Sequence, residues 1–235
     1  MSRVTAFSTP IVRLRQLASP LYSSIEDEIG VGIDLGTTFS AVAILEGNVP
    51  DIISVPNNGR TMPSVVAFDQ DGKPLVGREA MDWEESQRTS AYRNIKRVIG
   101  VGANHISSET TKVVPHLVPF FRPATNSKFK KKITLLKQLQ DAEENPAMLH
   151  SLNNPDRDAT ISPVTVSSMI LQKLLETAKS TTQKKITRAV IGVPAYFNDA
   201  QREATTKAAN LAGISQVKLL REPEAVRTVN LVRPA

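Results

Sequence analysis

The stretch Gly32-Ile33-Asp34-Leu35-Gly36-Thr37-Thr38 places a carboxylate, glycines and two adjacent hydroxyl side chains within a few positions of one another. A tight turn of this composition can aim backbone N–H and side-chain O–H groups into one small space, the arrangement that phosphate oxygens require. Gly36 lets the backbone approach a ligand with no Cβ in the way, while Thr37 and Thr38 supply donors. Asp34, closing the preceding strand, would face a metal, because Mg²⁺ beside a triphosphate is commonly held by one carboxylate through retained waters. An ordinary hairpin turn is the competing reading, since Asp and Gly are frequent turn formers. Two other phosphate motifs do not fit. A Walker A loop needs Gly-x-x-x-x-Gly-Lys before a helix, and both the Lys and the helix are missing. In a dinucleotide fingerprint the third glycine would come one residue earlier than Gly36, and a helix rather than a strand would follow.

Local signals describe the elements that must position this turn. Val31-Gly32-Ile33 reads as a strand, Asp34 to Thr38 as a tight turn, and Phe39 to Leu45 as a second strand rich in Ala, Val and Ile, together a β-hairpin. Glu46-Gly47-Asn48 marks the next turn. Ile52 to Val55 and Val65 to Phe68 read as further strands, split by Pro56, Asn57, Asn58, Gly59 and Pro63, so an antiparallel meander is expected. From Val164 to Ser180 the period changes, with Val166, Ile170, Leu174 and Ala178 on one helical stripe. Arg188 to Val193 is an apolar strand stopped by Pro194. Asn198 then opens a helix with Gln201 at the capping-box position and Gly213 just past its end, and Val217 to Leu220 is one more strand. Strand, helix and strand in that order predict a βαβ unit whose parallel sheet joins the opening meander in a mixed α/β domain. Between Ser107 and Ile161 the pattern is weak. Phe129-Lys130-Lys131-Lys132 precedes Ile133, Leu136 and Leu139, a short helix, and Asn153-Asn154-Pro155 a loop; the segment reads as a surface insertion with a solvated basic face.

Composition bounds the function. A chain of 235 residues with 40% hydrophobic content can bury a substantial core. The net charge of +6 comes partly from the N-terminal segment and the lysine cluster, not from one continuous face, and does not point to nucleic acid. With no Cys, disulfides, thiolate metal sites and Cys nucleophiles are excluded. No apolar run approaches the roughly 20 residues of a membrane span, so no membrane partner is expected. The histidines His105, His116 and His150 show no metal-ligand spacing and read as structural or exposed. Before Glu26 the chain is free of acidic residues, and it mixes Arg3, Arg13 and Arg15 with several serines. That composition fits a plastid or mitochondrial transit peptide, the alternative being an untargeted tail on a cytoplasmic protein.

The hairpin Gly32 to Thr38 closely resembles the first phosphate motif of the seventy-kilodalton heat-shock chaperones, whose ATPase domain belongs to the actin and sugar-kinase superfamily. Arg60-Thr61-Met62-Pro63-Ser64-Val65-Val66 resembles that family's next strand region, Ile95-Lys96-Arg97-Val98-Ile99-Gly100 its catalytic-lysine segment, and Val193-Pro194-Ala195-Tyr196-Phe197-Asn198-Asp199-Ala200-Gln201-Arg202 its most specific string, with Glu222-Pro223 after it. The resemblance implies an ATP-hydrolysing chaperone of the stress response that assists protein folding, with ATP and Mg²⁺ as cofactors. Unfolded clients, J-domain co-chaperones and nucleotide exchange factors are the implied partners. By the same resemblance Asp34 would lie near Mg²⁺ and its waters, and Gly36, Thr37, Thr38 and Phe39 would bind the nucleotide. Lys96 would stabilise the γ-phosphate and position the attacking water, Glu222 would help orient that water or coordinate the metal shell, and Pro194 and Arg202 would relay the nucleotide state to a substrate domain.

The implied fold is an actin-like ATPase (ribonuclease H-like) lobe, a mixed sheet with flanking helices. The expected division is a transit peptide or tail over 1–27, the first lobe over 28–226 with a divergent insertion at 107–161, and a divergent tail over 227–235. After Glu222-Pro223 the sequence departs from the family pattern, so truncation before the second lobe is expected, leaving one lobe face exposed. Two alternatives accompany the chaperone reading: a non-catalytic interaction fragment, and a small-molecule kinase of the same superfamily. The Val193 to Arg202 string argues against the kinase.

Overall fold

The structure, a computed structural model, describes residues 28–46, 49–87, 90–114, 116–118, 147–150 and 160–222. The N-terminal segment, the lysine cluster with the short helix expected after it, the loop at Asn153 and the tail from Pro223 onward lie outside these residues.

The opening hairpin is formed by β1 (Glu28–Leu35) and β2 (Phe39–Glu46), followed by β3 (Val49–Ile52) and β4 (Met62–Pro63). Next come β5 (Val66–Phe68), β6 (Pro74–Val76) and helix α1 (Arg78–Gln87), then a 3₁₀ turn at Ile95–Arg97 and another at Ala103–His105. Helix α2 (Ser108–Val113) precedes β7 (Leu117–Val118), β8 (Met148–His150) and β9 (Thr160–Ile161). The chain continues through α3 (Pro163–Thr182), β10 (Lys185–Val193), α4 (Asp199–Leu211) and β11 (Gln216–Arg221).

The main sheet has the order β11-β10-β1-β2-β3, with β4 also pairing β2. β1, β10 and β11 run parallel, whereas β2 is antiparallel to β1, β3 and β4. The expected mixed sheet is present, and β10-α4-β11 is the expected βαβ unit. Alternation along β1 and β10 buries Val31, Ile33, Leu35, Ala189, Ile191 and Val193 on one face. Against that face lies α3, whose stripe Val166, Ile170, Leu174 and Ala178 is fully withdrawn from water, and α4 packs on α3 and β11. Both helices start where their caps dictate. Ser162 accepts from the Thr165 N–H with Pro163 at the first helical position, and Asn198 and Gln201 form a reciprocal capping box. Gly213, at φ +99°, supplies the left-handed residue past α4. The opposite sheet face, with Gly30, Gly32, Ala43, Val190 and Lys218, borders an open trough of about 910 Å³ that no described element covers.

Three local expectations change. The third strand is Val49–Ile52, not Ile52 to Val55, because pairing with β2 sets its place, with Leu45 opposite Pro50 and Glu46 opposite Val49. Val55 instead closes a turn with Gly59. Val66–Phe68 leaves the meander to pair with β6 in a separate two-stranded sheet, on which Ala80 of α1 packs through Val65, Ala67 and Ala91. Within the weakly patterned region, α2 and the three-stranded sheet β7-β8-β9 are formed, contributing Val114, Leu117 and Leu149 to the main core.

Candidate functional site

Because β1, β10 and β11 are parallel, their C-terminal ends coincide, and the residues that end them share one edge of the sheet. Asp34 stands in register with Gly192, Pro194 follows β10, and Glu222 follows β11. Strand carboxyl ends are where α/β sheets build ligand sites. An open cleft of about 680 Å³ lies there, lined by residues that include Asp34, Gly36, Thr37, Lys96, Pro194, Tyr196 and Glu222.

Lys96 reaches the cleft from a different layer. Val66 and Tyr92 exchange both backbone hydrogen bonds, at 3.1 and 2.8 Å, which ties the following segment to the small sheet. Asn94 then takes a left-handed conformation, φ 59°, which Asn tolerates better than most side chains, and its amide donates to the Val113 carbonyl at 2.6 Å. Ile95 anchors the 3₁₀ turn in the core, leaving the neighbouring Lys96 to point into the cleft.

There Lys96 Nζ donates to Glu222 Oε1 at 2.8 Å. The lysine side chain is only 9% exposed, its partner 48%, so a largely enclosed cation meets an accessible carboxylate. Asp34 belongs to the same electrostatic group. The residue opens to solvent, yet its carboxyl has lost enough hydration to be pushed above the ordinary aspartate range; Lys96 opposes the rise and Glu222 adds to it. Loss of hydration, not the neighbouring charges, is thus what favours the protonated form of Asp34, and Lys96 offsets it more than Glu222 adds to it.

The hairpin turn itself leaves little room. A Cβ on Gly36 would come within 2.0 Å of the Phe39 carbonyl oxygen, so glycine is required for steric reasons alone. Asp34, Gly36, Thr37, Lys96, Pro194 and Glu222 all border the one cleft. Thr37 also borders a second hollow of about 270 Å³ on the other side of the turn, and Thr38 and Phe39 line that hollow together with Arg78 and Arg93. Arg202 lies on α4 outside the cleft, where its Nε donates to the Phe197 carbonyl at 3.1 Å, while Phe197 N–H donates to Pro194 O at 3.1 Å. A short bonded path therefore joins Pro194 at the cleft to Arg202 on the helix.

Sequence reasoning gave no site role to Tyr196, Gly192, Ser40, Ser64 or Asn94. Tyr196 is 82% exposed and leans edge-on against Phe197, a placement no periodicity signals. His105 is exposed and His116 packs edge-on against Tyr92, and among the described residues no three His, Cys, Asp or Glu side chains converge to cage a metal. The donor set still fits Mg²⁺, which is commonly held by one or two carboxylates, its own waters and phosphate oxygens rather than by an all-protein cage.

A mixed sheet that gathers a glycine–hydroxyl turn, a lysine and two carboxylates at the ends of its parallel strands is an actin-like ATPase lobe. Residues 30–228 match the family described as Hsp70 protein, the seventy-kilodalton heat-shock chaperones, and the chain belongs to that family. Membership carries a chaperone and ATPase character and sets the chain apart from the small-molecule kinases that share the superfamily.

Proposed function

We propose that this chain binds the phosphates of ATP with Mg²⁺ at the cleft between Asp34, Thr37, Lys96 and Glu222, and that it hydrolyses ATP to drive assisted protein folding. The observation that carries this reading is the Lys96–Glu222 pair at 2.8 Å beside Asp34. Lys96, enclosed and positively charged, is suited to stabilise negative charge that develops on a terminal phosphate. Glu222, accessible and hydrogen-bonded to Lys96, is suited to orient an attacking water and accept its proton. Thr37 would supply donors to phosphate oxygens, and Asp34 would hold Mg²⁺ through its waters. When bound, Mg²⁺ would neutralise charge on the phosphates. The path from Pro194 through Phe197 to Arg202 supports a relay of nucleotide state toward a client-binding region, with J-domain proteins and exchange factors as regulators. The basic, acid-free composition of the first 25 residues supports delivery to a plastid or mitochondrion.

Calorimetry of the chain with ATP in the presence and absence of Mg²⁺ tests the reading. Metal-dependent binding is expected. No binding under either condition would favour a non-catalytic interaction protein.

A further inference from the structure

Behind the turn, on the side away from the cleft, two buried serines form a bracket. Ser64, 4% exposed, lies just past β4, and Ser40, 1% exposed, lies in β2. Ser64 Oγ donates to the Gly36 carbonyl at 2.9 Å, and the Ser64 backbone N–H donates to the Thr38 carbonyl at 2.8 Å. Ser40 Oγ lies 2.8 Å from Ser64 Oγ. A serine hydroxyl has one proton, and that of Ser64 is committed to Gly36, so Ser40 is the donor of this last bond. One residue, distant in sequence, therefore grips the two carbonyls on either side of Thr37.

In a trans peptide the carbonyl of one residue and the N–H of the next point in opposite directions. Holding Gly36 C=O inward toward Ser64 turns the Thr37 N–H outward, toward the cleft that Thr37 lines. The bond from Ser64 N–H to Thr38 C=O likewise fixes the Thr38–Phe39 peptide plane, two planes further along the turn. The β2–β4 pairing, with Phe39 opposite Pro63 and Ser40 opposite Met62, keeps the bracket in register with the turn.

We infer that Ser64 is a positioning residue that aims the backbone donors of the phosphate turn before any ligand arrives, with Ser40 fixing the orientation of its hydroxyl. The inference rests on the phosphate-site reading for its purpose but on the serine geometry for its substance. Donors already in place need no reorganisation on binding, which is how a short turn gains affinity for an anion.

The experiment compares Ser64→Ala, Ser64→Thr and Ser40→Ala in the full chain by residue-resolved amide hydrogen exchange without nucleotide, and by calorimetric titration with ADP and Mg²⁺. Ser64→Ala is expected to lower the exchange protection of the amide at position 64, which donates to Thr38 C=O, while β10 and β11 amides keep their protection. It should weaken nucleotide binding about five- to tenfold, as loss of one hydrogen bond would. Ser64→Thr, which keeps the hydroxyl, should restore both, and Ser40→Ala should fall between. Unchanged protection of that amide, or faster exchange spread evenly over the sheet, would overturn the inference. If the wild-type chain binds no nucleotide, the functional reading fails, and the exchange comparison still decides whether Ser64 positions the turn.

Discussion

The two ends of β2 make a natural contrast. At its N-terminal end the strand emerges from the turn at Gly36 to Thr38, which is gripped from behind by Ser64 and faces the cleft with Lys96 and Glu222. At its C-terminal end it pairs with β3, every residue of which is exposed, and Leu45 and Val49 are bare to solvent at 69% and 68%. Both ends are antiparallel connections in the same sheet. Among the described residues, only the first is built into the protein from both sides. Pro50 on β3 lacks an N–H and blunts the free edge against further strand pairing. The difference is one of support: contacts from Ser64 behind the first turn hold its backbone in place, whereas β3 beside the other end of β2 is exposed along its whole length.

The contrast can be strained from both ends. The largest effect is expected for Lys96→Ala, which should lower single-turnover ATP hydrolysis about 10²–10³-fold, the usual loss when a transition-state donor is removed. Its melting temperature should move little, because the partner Glu222 is half exposed and can be solvated by water; undiminished hydrolysis would strip the cleft of its catalytic reading. Gly36→Ala comes next, since its Cβ meets the Phe39 carbonyl at 2.0 Å. Urea unfolding should show a loss of about 1–3 kcal/mol, whereas Gly30→Ala, with its nearest atoms at 3.7 Å, should cost much less.

Asp34→Asn should abolish the gain in nucleotide affinity on adding Mg²⁺ while slightly stabilising the nucleotide-free chain. The folded-state pKa of Asp34 lies above its unfolded value, so its protonated form favours the fold. That contribution is present below the unfolded pKa and lost as pH rises through the folded one. Glu28, at the other end of β1, behaves oppositely. Hydrogen bonds from Lys185 and Thr187 hold its carboxyl below the ordinary range, so its contribution is present above the unfolded pKa and lost as pH falls through the folded one. Thermal melts of Glu28→Gln and Asp34→Asn between pH 3 and 7 should therefore diverge from wild type in opposite senses. Smallest of all, Val49→Thr at the free edge should stay within about 0.5 kcal/mol of wild type, and a larger change would mean that this end is not free.

What could be read in advance was local. The Asp34 to Thr38 turn between two apolar runs, the four-residue stripe from Val166 to Ala178, and the Asn198–Gln201 capping box each declare themselves through neighbours along the chain. The strand at Val49–Ile52 was misplaced because Ile52 to Val55 is the more apolar run, yet pairing to β2 outweighs that preference. Helix α1 was missed because its only buried residue is Ala80 and half of its ten residues, Arg78 to Gln87, are charged, which leaves no apolar stripe to signal it.

By itself, the sequence determined the kind of chemistry: a glycine between a carboxylate and two hydroxyls, a lysine and a glutamate in recognisable strings. Their meeting was decided by the tertiary structure. Lys96 and Glu222 are 126 positions apart, and Ser64 and Gly36 are 28 apart; no periodicity spans such distances. The parallel alignment of β1, β10 and β11 brings Asp34 and Glu222 to one edge, a bridge between Val66 and Tyr92 delivers Lys96, and the β2–β4 pairing sets Ser64 behind the turn. These are products of long-range pairing and core burial, which act only once the chain has closed on itself.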